Sequence, residues 1–215
     1  PTPTPIPTPT PTPTFTTYYV SIAGNDANSC ATAQVPGASA KRNILGVNGG
    51  AACMASGDHL IVQAGVYPEY VQNVIPPGGG TDATRTVFKC ETYLACTLRG
   101  VHLMNDDDWI DMENFTINSL FLYVHGITLI SSPACCDGSL YPSHVRIRYN
   151  EVYNTVGEVI YDGNGEFNEF AYNKMHDGDD SQGGAAGGFY GLARNSYFHH
   201  NEVYRAGAGN SINTS

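Results

Sequence analysis

The residues best suited to chemistry in this chain lie in its second half. His176-Asp177-Gly178-Asp179-Asp180 brings three carboxylates and an imidazole into five positions. Clustered carboxylates can hold Ca²⁺, which makes Asp177, Asp179 and Asp180 the metal candidates. Their spacing is not that of an EF-hand loop, however, and runs of Asp and Gly are ordinary turn formers. A solvated turn explains them better, and no cofactor is expected. A different chemistry would pair Asp162 with Asp177 or Asp179 across a glycosidic bond, which requires a separation of roughly 5–9.5 Å. His199-His200 is expected to alternate across a strand, one ring inward and one in water, and so not to form a joint metal site. Asn105-Asp106-Asp107-Asp108 has the character of a turn. No Ser-His-Asp order, P-loop or dinucleotide fingerprint occurs, so catalytic residues stay unassigned.

Aromatic residues give a softer signal. Tyr149, Tyr153, Tyr161, Tyr172, Tyr190, Tyr197 and Tyr204 recur through the same half. On one face they could stack against sugar rings. They could equally lock neighbouring structural units together, and strand-rich chains favour Tyr in any case.

The elements that must position these side chains fall into two parts. Residues 1–17 are a Pro/Thr-rich stalk, nearly every second residue being Pro up to Pro13. Alternating Pro removes ladder donors and fixes φ, which leaves extended polyproline II. At ~3.1 Å per residue the Pro/Thr run spans roughly 40 Å. Its threonines, Thr2, Thr4, Thr8, Thr10, Thr12 and Thr14, have the setting of O-glycan acceptors. Residues 18–215 form the second part, with an N-terminal strand and cap at 18–57 and repeated coils at 58–215. Ile44, Leu45, Val47, Ala51, Ala52 and Met54 suit a short helix face within 40–56. Short strands follow at His59–Gln63, Gly65–Tyr67, Thr86–Lys89, Trp109–Met112 and Ile127–Ile130.

The coils repeat. Tyr149-Asn150-Glu151-Val152-Tyr153 recurs as Tyr172-Asn173-Lys174-Met175-His176 and as His200-Asn201-Glu202-Val203-Tyr204, the Asn positions being 23 and then 28 residues apart. Asn114 heads a looser copy. Self-similarity on this scale marks stacked units. Asn150, Asn173 and Asn201 are expected to form a ladder, each amide bonding to backbone above and below, with Val152, Met175 and Val203 pointing into the core.

Composition narrows the function. Acidic residues outnumber basic ones 20 to 10, and the net charge of −10 argues against nucleic acid and anionic membranes as partners. No apolar run is long enough to span a bilayer. The chain opens on Pro1, as a mature or trimmed product would. Six cysteines beside a mucin-like stalk suggest an oxidising, extracellular or cell-surface setting. Proximity in sequence pairs Cys30 with Cys53 and Cys90 with Cys96. Cys135 and Cys136 could form a vicinal bridge or remain thiols. The sequons at Asn114 and Asn213 are weaker glycan acceptors than the stalk.

The segments Tyr18-Tyr19-Val20-Ser21 with Gly24-Asn25-Asp26, Ser56 through Tyr67, and Trp109 through Ile117 resemble the right-handed parallel β-helix proteins of the pectin-lyase-like superfamily. The resemblance covers roughly residues 18–215. It implies an all-β solenoid with a short N-terminal capping helix, and it leaves function open, since this fold hosts lyases, hydrolases, adhesins and fibres. Lyases of the superfamily use Ca²⁺-binding acids with an Arg or Lys base, for which Arg148 and Arg194 are the nearest candidates. About six turns fit residues 58–215, and the last carries no polar cap, so further residues or another molecule are expected to cover it. The expected function is a displayed structural protein, self-associating head to tail through that end and the stalk. The alternative is a secreted lyase, hydrolase or glycan-binding module.

Overall fold

The computed structural model describes residues 14–72, 77–104, 107–122, 125–130, 141–179, 187–206 and 212–214. Thr2, Thr4, Thr8, Thr10 and Thr12, the Cys135-Cys136 pair and Asp180 lie outside them, whereas Thr14 is described and exposed.

Short alternating runs cut by Gly and Asn are too brief for helices and pair as strands instead. The first sheet holds β1 (Thr17–Val20), β2 (His59–Val62), β5 (Thr86–Cys90), β8 (Ile110–Glu113), β11 (Arg146–Arg148), β14 (Glu169–Ala171) and β17 (Tyr197–His199). The second holds β3 (Gly65–Val66), β6 (Cys96–Leu98), β9 (Phe115–Asn118), β12 (Glu151–Thr155), β15 (Lys174–Gly178) and β18 (Glu202–Ala206). The third holds β4 (Tyr70–Gln72), β7 (Gly100–Met104), β10 (Ile127–Ile130), β13 (Ile160–Asp162), β16 (Phe189–Gly191) and β19 (Ile212–Thr214). The pairings are parallel, and from β2 onward each strand pairs with the one three later. The chain therefore visits the three sheets in turn and makes six stacked coils from β2 to β19. This all-β, parallel arrangement is consistent with a β-helix.

Register explains the core. Tyr18, Leu60, Phe88, Met112, Ile147, Phe170 and Phe198 stand opposite one another across the first sheet. From Leu60 to Phe170 these are fully buried. Phe88 and Phe115 meet at 4.5 Å between ring centroids inside the coils. Burying each such side chain contributes about 1.5–3 kcal/mol.

The corner from the first sheet to the second is tight. Two residues separate β11 from β12, β14 from β15 and β17 from β18. The first of each pair takes positive φ: Tyr149 at 60°, Tyr172 at 59° and His200 at 54°. The second is Asn150, Asn173 or Asn201. Asn173 Oδ1 accepts from Asn150 N–H at 3.0 Å, and Asn201 Oδ1 accepts from Asn173 N–H at 2.9 Å. Asn173 Nδ2 donates to Ile147 O at 2.8 Å and to Asn201 Oδ1 at 3.1 Å. Asn114 is not the next member down. Thr116 is in register with Glu151, which puts Phe115 opposite Asn150, and Asn150 Oδ1 accepts from Phe115 N–H at 2.9 Å. Asn114 instead takes the positive-φ place at 70°.

The expected capping helix is absent. Residues 40–56 form irregular turns with one short 3₁₀ segment, Ala51–Cys53, and no α-helix occurs among the described residues. Gly46 takes φ of 90°, and a Cβ on Gly49 would lie 2.2 Å from Leu45 O. The Glu69 carboxylate takes the N–H groups of Ile44 and Leu45 at 3.0 and 2.7 Å, which fixes a bend there. Ile44 and Ala51 are nevertheless buried, and Gly50 packs against Val20 and Leu60 of the first strands. Disulfide Cys30–Cys53 ties the end of this segment to the loop that follows β1, and Cys90–Cys96 closes the turn between β5 and β6.

Candidate functional site

Two outer surfaces gather side chains capable of chemistry. On the first sheet, Val87, Asp111, Arg146, Glu169 and Tyr197 form one outward row; Lys89, Glu113, Arg148 and His199 form positions in the next. Acids and bases alternate along the coils. Arg148 Nη2 lies 2.7 Å from Glu113 and 3.6 Å from Asp111, and Arg146 reaches Asp82 at 2.6 Å and Glu169 at 3.5 Å. Arg85, nearly buried, joins Asp111 at 2.5 Å and donates to the carbonyls of Ile110 and His144. Burial lowers its pKa, and Asp111 opposes that shift. Beside the charged rows runs an aromatic wall. Trp109, His144 and Phe167 enter the first sheet at the same place in successive coils, all at positive φ, and stack at 3.9 and 5.1 Å. The bend aims each ring outward, so the coil spacing of about 4.8 Å becomes a stacking distance.

The third sheet carries a different group. Residues 131–145 separate β10 of this sheet from β11 of the first, and 179–188 separate β15 of the second from β16 of this one. Outward on this sheet stand His102, Tyr161 and Tyr190, with His125 and Glu158 just ahead of β10 and β13. His125 stacks on Tyr161 at 4.8 Å, and Tyr161 on Tyr190 at 5.7 Å. Glu158 Oε2 lies 3.1 Å from His125 Nδ1 but off the donor direction, so the contact is electrostatic rather than a hydrogen bond. His102 Nε2 is buried without a hydrogen-bond partner among the described residues. Desolvation lowers the pKa of His102, and the nearby His125 adds to it. Desolvation also lowers His125, against the pull of Glu158. Burial raises the Tyr161 phenol, and Tyr190 and Glu158 reinforce the effect. Neutral imidazoles beside a protonated phenol are a base and an acid on one face.

These shifts predict a pH effect. An unfolded imidazole takes its proton near the ordinary value of 6.5, the folded His102 and His125 only at lower pH. Just below 6.5 the unfolded state binds more protons, so stability falls as pH drops through that window. Buried Asp162 and Glu69, both raised by desolvation, act in the opposite sense but from ordinary values of 3.8 and 4.5 upward. The urea midpoint should therefore drop between about pH 7.5 and about pH 5.5, and His102→Gln should flatten the drop. Identical slopes for wild type and variant would contradict the burial of a neutral imidazole.

Other sequence candidates separate. Asp177 Oδ2 is held by Arg205 Nη2 at 2.9 Å and lies 2.8 Å from His176 Nδ1. Asp179 N–H donates to Thr155 O. Among the described residues no group of three His, Cys, Asp or Glu could hold a metal ion. Asp162 points into the coils, its oxygens taken by Gly165 N–H and Asn168 Nδ2, whereas Asp177 is partly exposed on β15 of the second sheet, so the two carboxylates do not share a cleft. Arg194 is exposed beside Glu166. His199 and His200 do not alternate: the bend at His200 brings their Nδ1 atoms to 2.8 Å on the outside. The tyrosines stack coil on coil, Tyr149 on Tyr172 and Tyr172 on His200 at 4.9 and 4.8 Å, and Tyr153 on His176 and His176 on Tyr204 at 4.9 and 4.6 Å.

No protein-family model, curated protein or solved structure matches the chain. Function must therefore be argued from these two surfaces. Two disulfides, and the absence among the described residues of a helix long and apolar enough to cross a membrane, fit a secreted or surface protein.

Proposed function

We propose that this chain is an extracellular structural and display protein: a right-handed parallel β-helix of the pectin-lyase-like kind, carried on a Pro/Thr stalk whose threonines bear O-glycans. The observation that supports it is the commitment of outward side chains to their counterparts on the next coil. Aromatic rings stack in columns, and Arg85, Arg146 and Arg148 bridge carboxylates of neighbouring coils. Such columns stiffen a rod. Association of copies end to end belongs to the same proposal. Negative-stain micrographs of concentrated protein should show fibres of uniform width, and dispersed monomers would reject assembly. The intact mass of the stalk peptide should exceed that of its residues; an unmodified mass would reject glycan display.

A second function, action on a polysaccharide, draws support from the third-sheet cluster of His102, His125, Glu158 and Tyr161. Lysis would appear as unsaturated-product absorbance on pectin, alginate or related polymers, with or without Ca²⁺. Inactivity across that panel would dismiss it.

A further inference from the structure

One pair of side chains has a placement that coil-to-coil bracing leaves unexplained. His199 ends β17 on the outside of the first sheet, and the bend at His200, with φ of 54°, turns the next ring outward beside it. Their Nδ1 atoms stand 2.8 Å apart. Stacking accounts for His200, whose ring meets Tyr172 at 4.8 Å as Tyr172 meets Tyr149 at 4.9 Å. It does not account for His199. The residue in register one coil earlier is Ala171, and the one before that is Arg148. Of these three corners only the last carries two imidazoles. We propose that His199 and His200 chelate one copper(II) ion through their Nδ1 atoms, with water at the remaining corners of a square. The proposal requires neither filament formation nor catalysis on the third sheet.

Four observations carry it. The first is the separation. With metal–nitrogen bonds of about 2.0 Å, nitrogens at adjacent corners of a square lie about 2.8 Å apart, whereas those of a tetrahedron lie about 3.3 Å apart. The Nδ1 atoms already stand at the shorter distance. Imidazole donors in square geometry favour copper(II), which also heads the affinity order of the divalent ions. The second is the tautomer of His199. Its Nε2 lies 3.1 Å from Glu169 Oε1, and a carboxylate only accepts, so Nε2 carries the proton and Nδ1 presents a lone pair. Arg146 and Arg148 approach Glu169 at Oε2 instead, at 3.5 and 3.9 Å, which leaves Oε1 to His199. A carboxylate behind the imidazole is the usual outer partner of a ligating His. The third is orientation. Tyr172 meets His200 face to face and His199 edge-on at 5.9 Å, which holds the two rings nearly perpendicular, so less freedom is lost when an ion binds. The fourth is access. His200 is exposed and the His199 side chain is 38% exposed, so an ion can enter from solvent. Without the ion, His200 Nδ1–H donates to His199 Nδ1. With it, that proton passes to His200 Nε2, and both Nδ1 lone pairs turn to an ion lying off the line between them. Two protein donors suffice for this geometry, which accords with the lack of any three-residue metal group among the described residues.

The test is electron paramagnetic resonance of the whole chain with one equivalent of copper(II), joined to titration calorimetry with the same ion. The spectrum should be that of a tetragonal site, and its spin-echo modulation should count two imidazoles. His200→Phe keeps a ring for Tyr172 to stack on, and His199→Ala installs the residue that Ala171 already supplies one coil earlier. Each should reduce the count to one and weaken binding about tenfold or more, because a chelate becomes a single donor. His144→Phe, which repeats the neighbouring Phe167 of the aromatic wall, should leave both readings unchanged. Circular dichroism should show the variants folded, and the wild-type spectrum decides by itself if one is not. Fewer than two imidazoles in the wild-type spectrum, binding indifferent to both substitutions, or loss of the signal in His144→Phe would each overturn the proposal.

Discussion

Replacing Asn173 with Ala should destabilise the protein by about 3 kcal/mol, because the change orphans a buried N–H and removes further bonds worth about 0.5–1.5 kcal/mol each. Asn173 is 1% exposed. Its Oδ1 is the acceptor for Asn150 N–H, and its Nδ2 links Ile147 O to Asn201 Oδ1. Ala supplies none of these, and no water is expected to reach so enclosed a corner. An unpaired buried N–H alone costs about 1–3 kcal/mol. For a chain of this size the melting temperature should fall by roughly 2–4 °C per kcal/mol. Asn201→Ala is the control. Asn201 makes a comparable set of bonds, to Asn173, Phe170 O and His199 O, but it is only half-buried. Water can replace part of what is lost there, so its cost should be about half that of Asn173→Ala. Denaturant melts of both variants decide the matter. Equal losses, or a loss at Asn173 under about 1 kcal/mol, would mean that the ladder is decoration rather than structure.

That corner was also the most legible part of the sequence, for a physical reason. Asn carries a carbonyl acceptor and an NH₂ donor together on a short side chain, and the tight bend uses both in three successive coils, so the residue recurs at Asn150, Asn173 and Asn201. Elsewhere the pattern blurs. β11, β14 and β17 are three residues each and put Arg146, Arg148 and Glu169 outward. A run that short shows little alternation, and its charges look like loop until the partner coil is known. Asn114 misleads in the opposite way, since a one-residue shift in register gives it the bend rather than the ladder position. The apolar spacing in 40–56 suggested a helix, but the glycines and the Glu69 carboxylate impose turns on the same buried residues.

The two surfaces were less legible than the fold. Asp111, Arg146 and Glu169 are in register, yet they are separated by 35 and then 23 residues, because the connection between β10 and β11 is long. Unequal coil lengths conceal the pairing of acid over base. A signal was present in Asp111-x-Glu113 and Arg146-x-Arg148, two-residue alternations of opposite sign. The aromatic columns had a signal too. An aromatic ring stands directly before each ladder Asn, as Tyr149, Tyr172 and His200, and repetition of that doublet marks rings that stack. His102 and His125 carried no such mark; desolvation by their own coils sets their protonation, and sequence does not display burial.

The charged rows on the first sheet are anchored by Arg85, and Arg85→Met should cost about 3–5 kcal/mol, the range for removing one partner of a buried ion pair. Arg85 lies just ahead of β5 and reaches two coils further. It meets Asp111 at 2.5 Å on the next coil, donates to Ile110 O at 3.3 Å, and donates to His144 O on the coil after that. Its guanidinium also lies 5.4 Å from the centre of the Trp109 ring. Met fills much of the volume but supplies no donor. Two carbonyls lose a partner, and Asp111 keeps only its longer contacts of 3.8 and 3.6 Å to Arg146 and Arg148. Asp111→Ala alone should cost less, since Arg85 retains both carbonyls and Asp82 at 3.4 Å. The double variant should cost less than the two single losses combined, because the carboxylate stranded by Arg85→Met is then gone. A double-mutant cycle by urea denaturation measures that coupling. Strict additivity would show Arg85 and Asp111 acting independently, and the alternating charges would then be a solvated surface instead of a clamp across three coils.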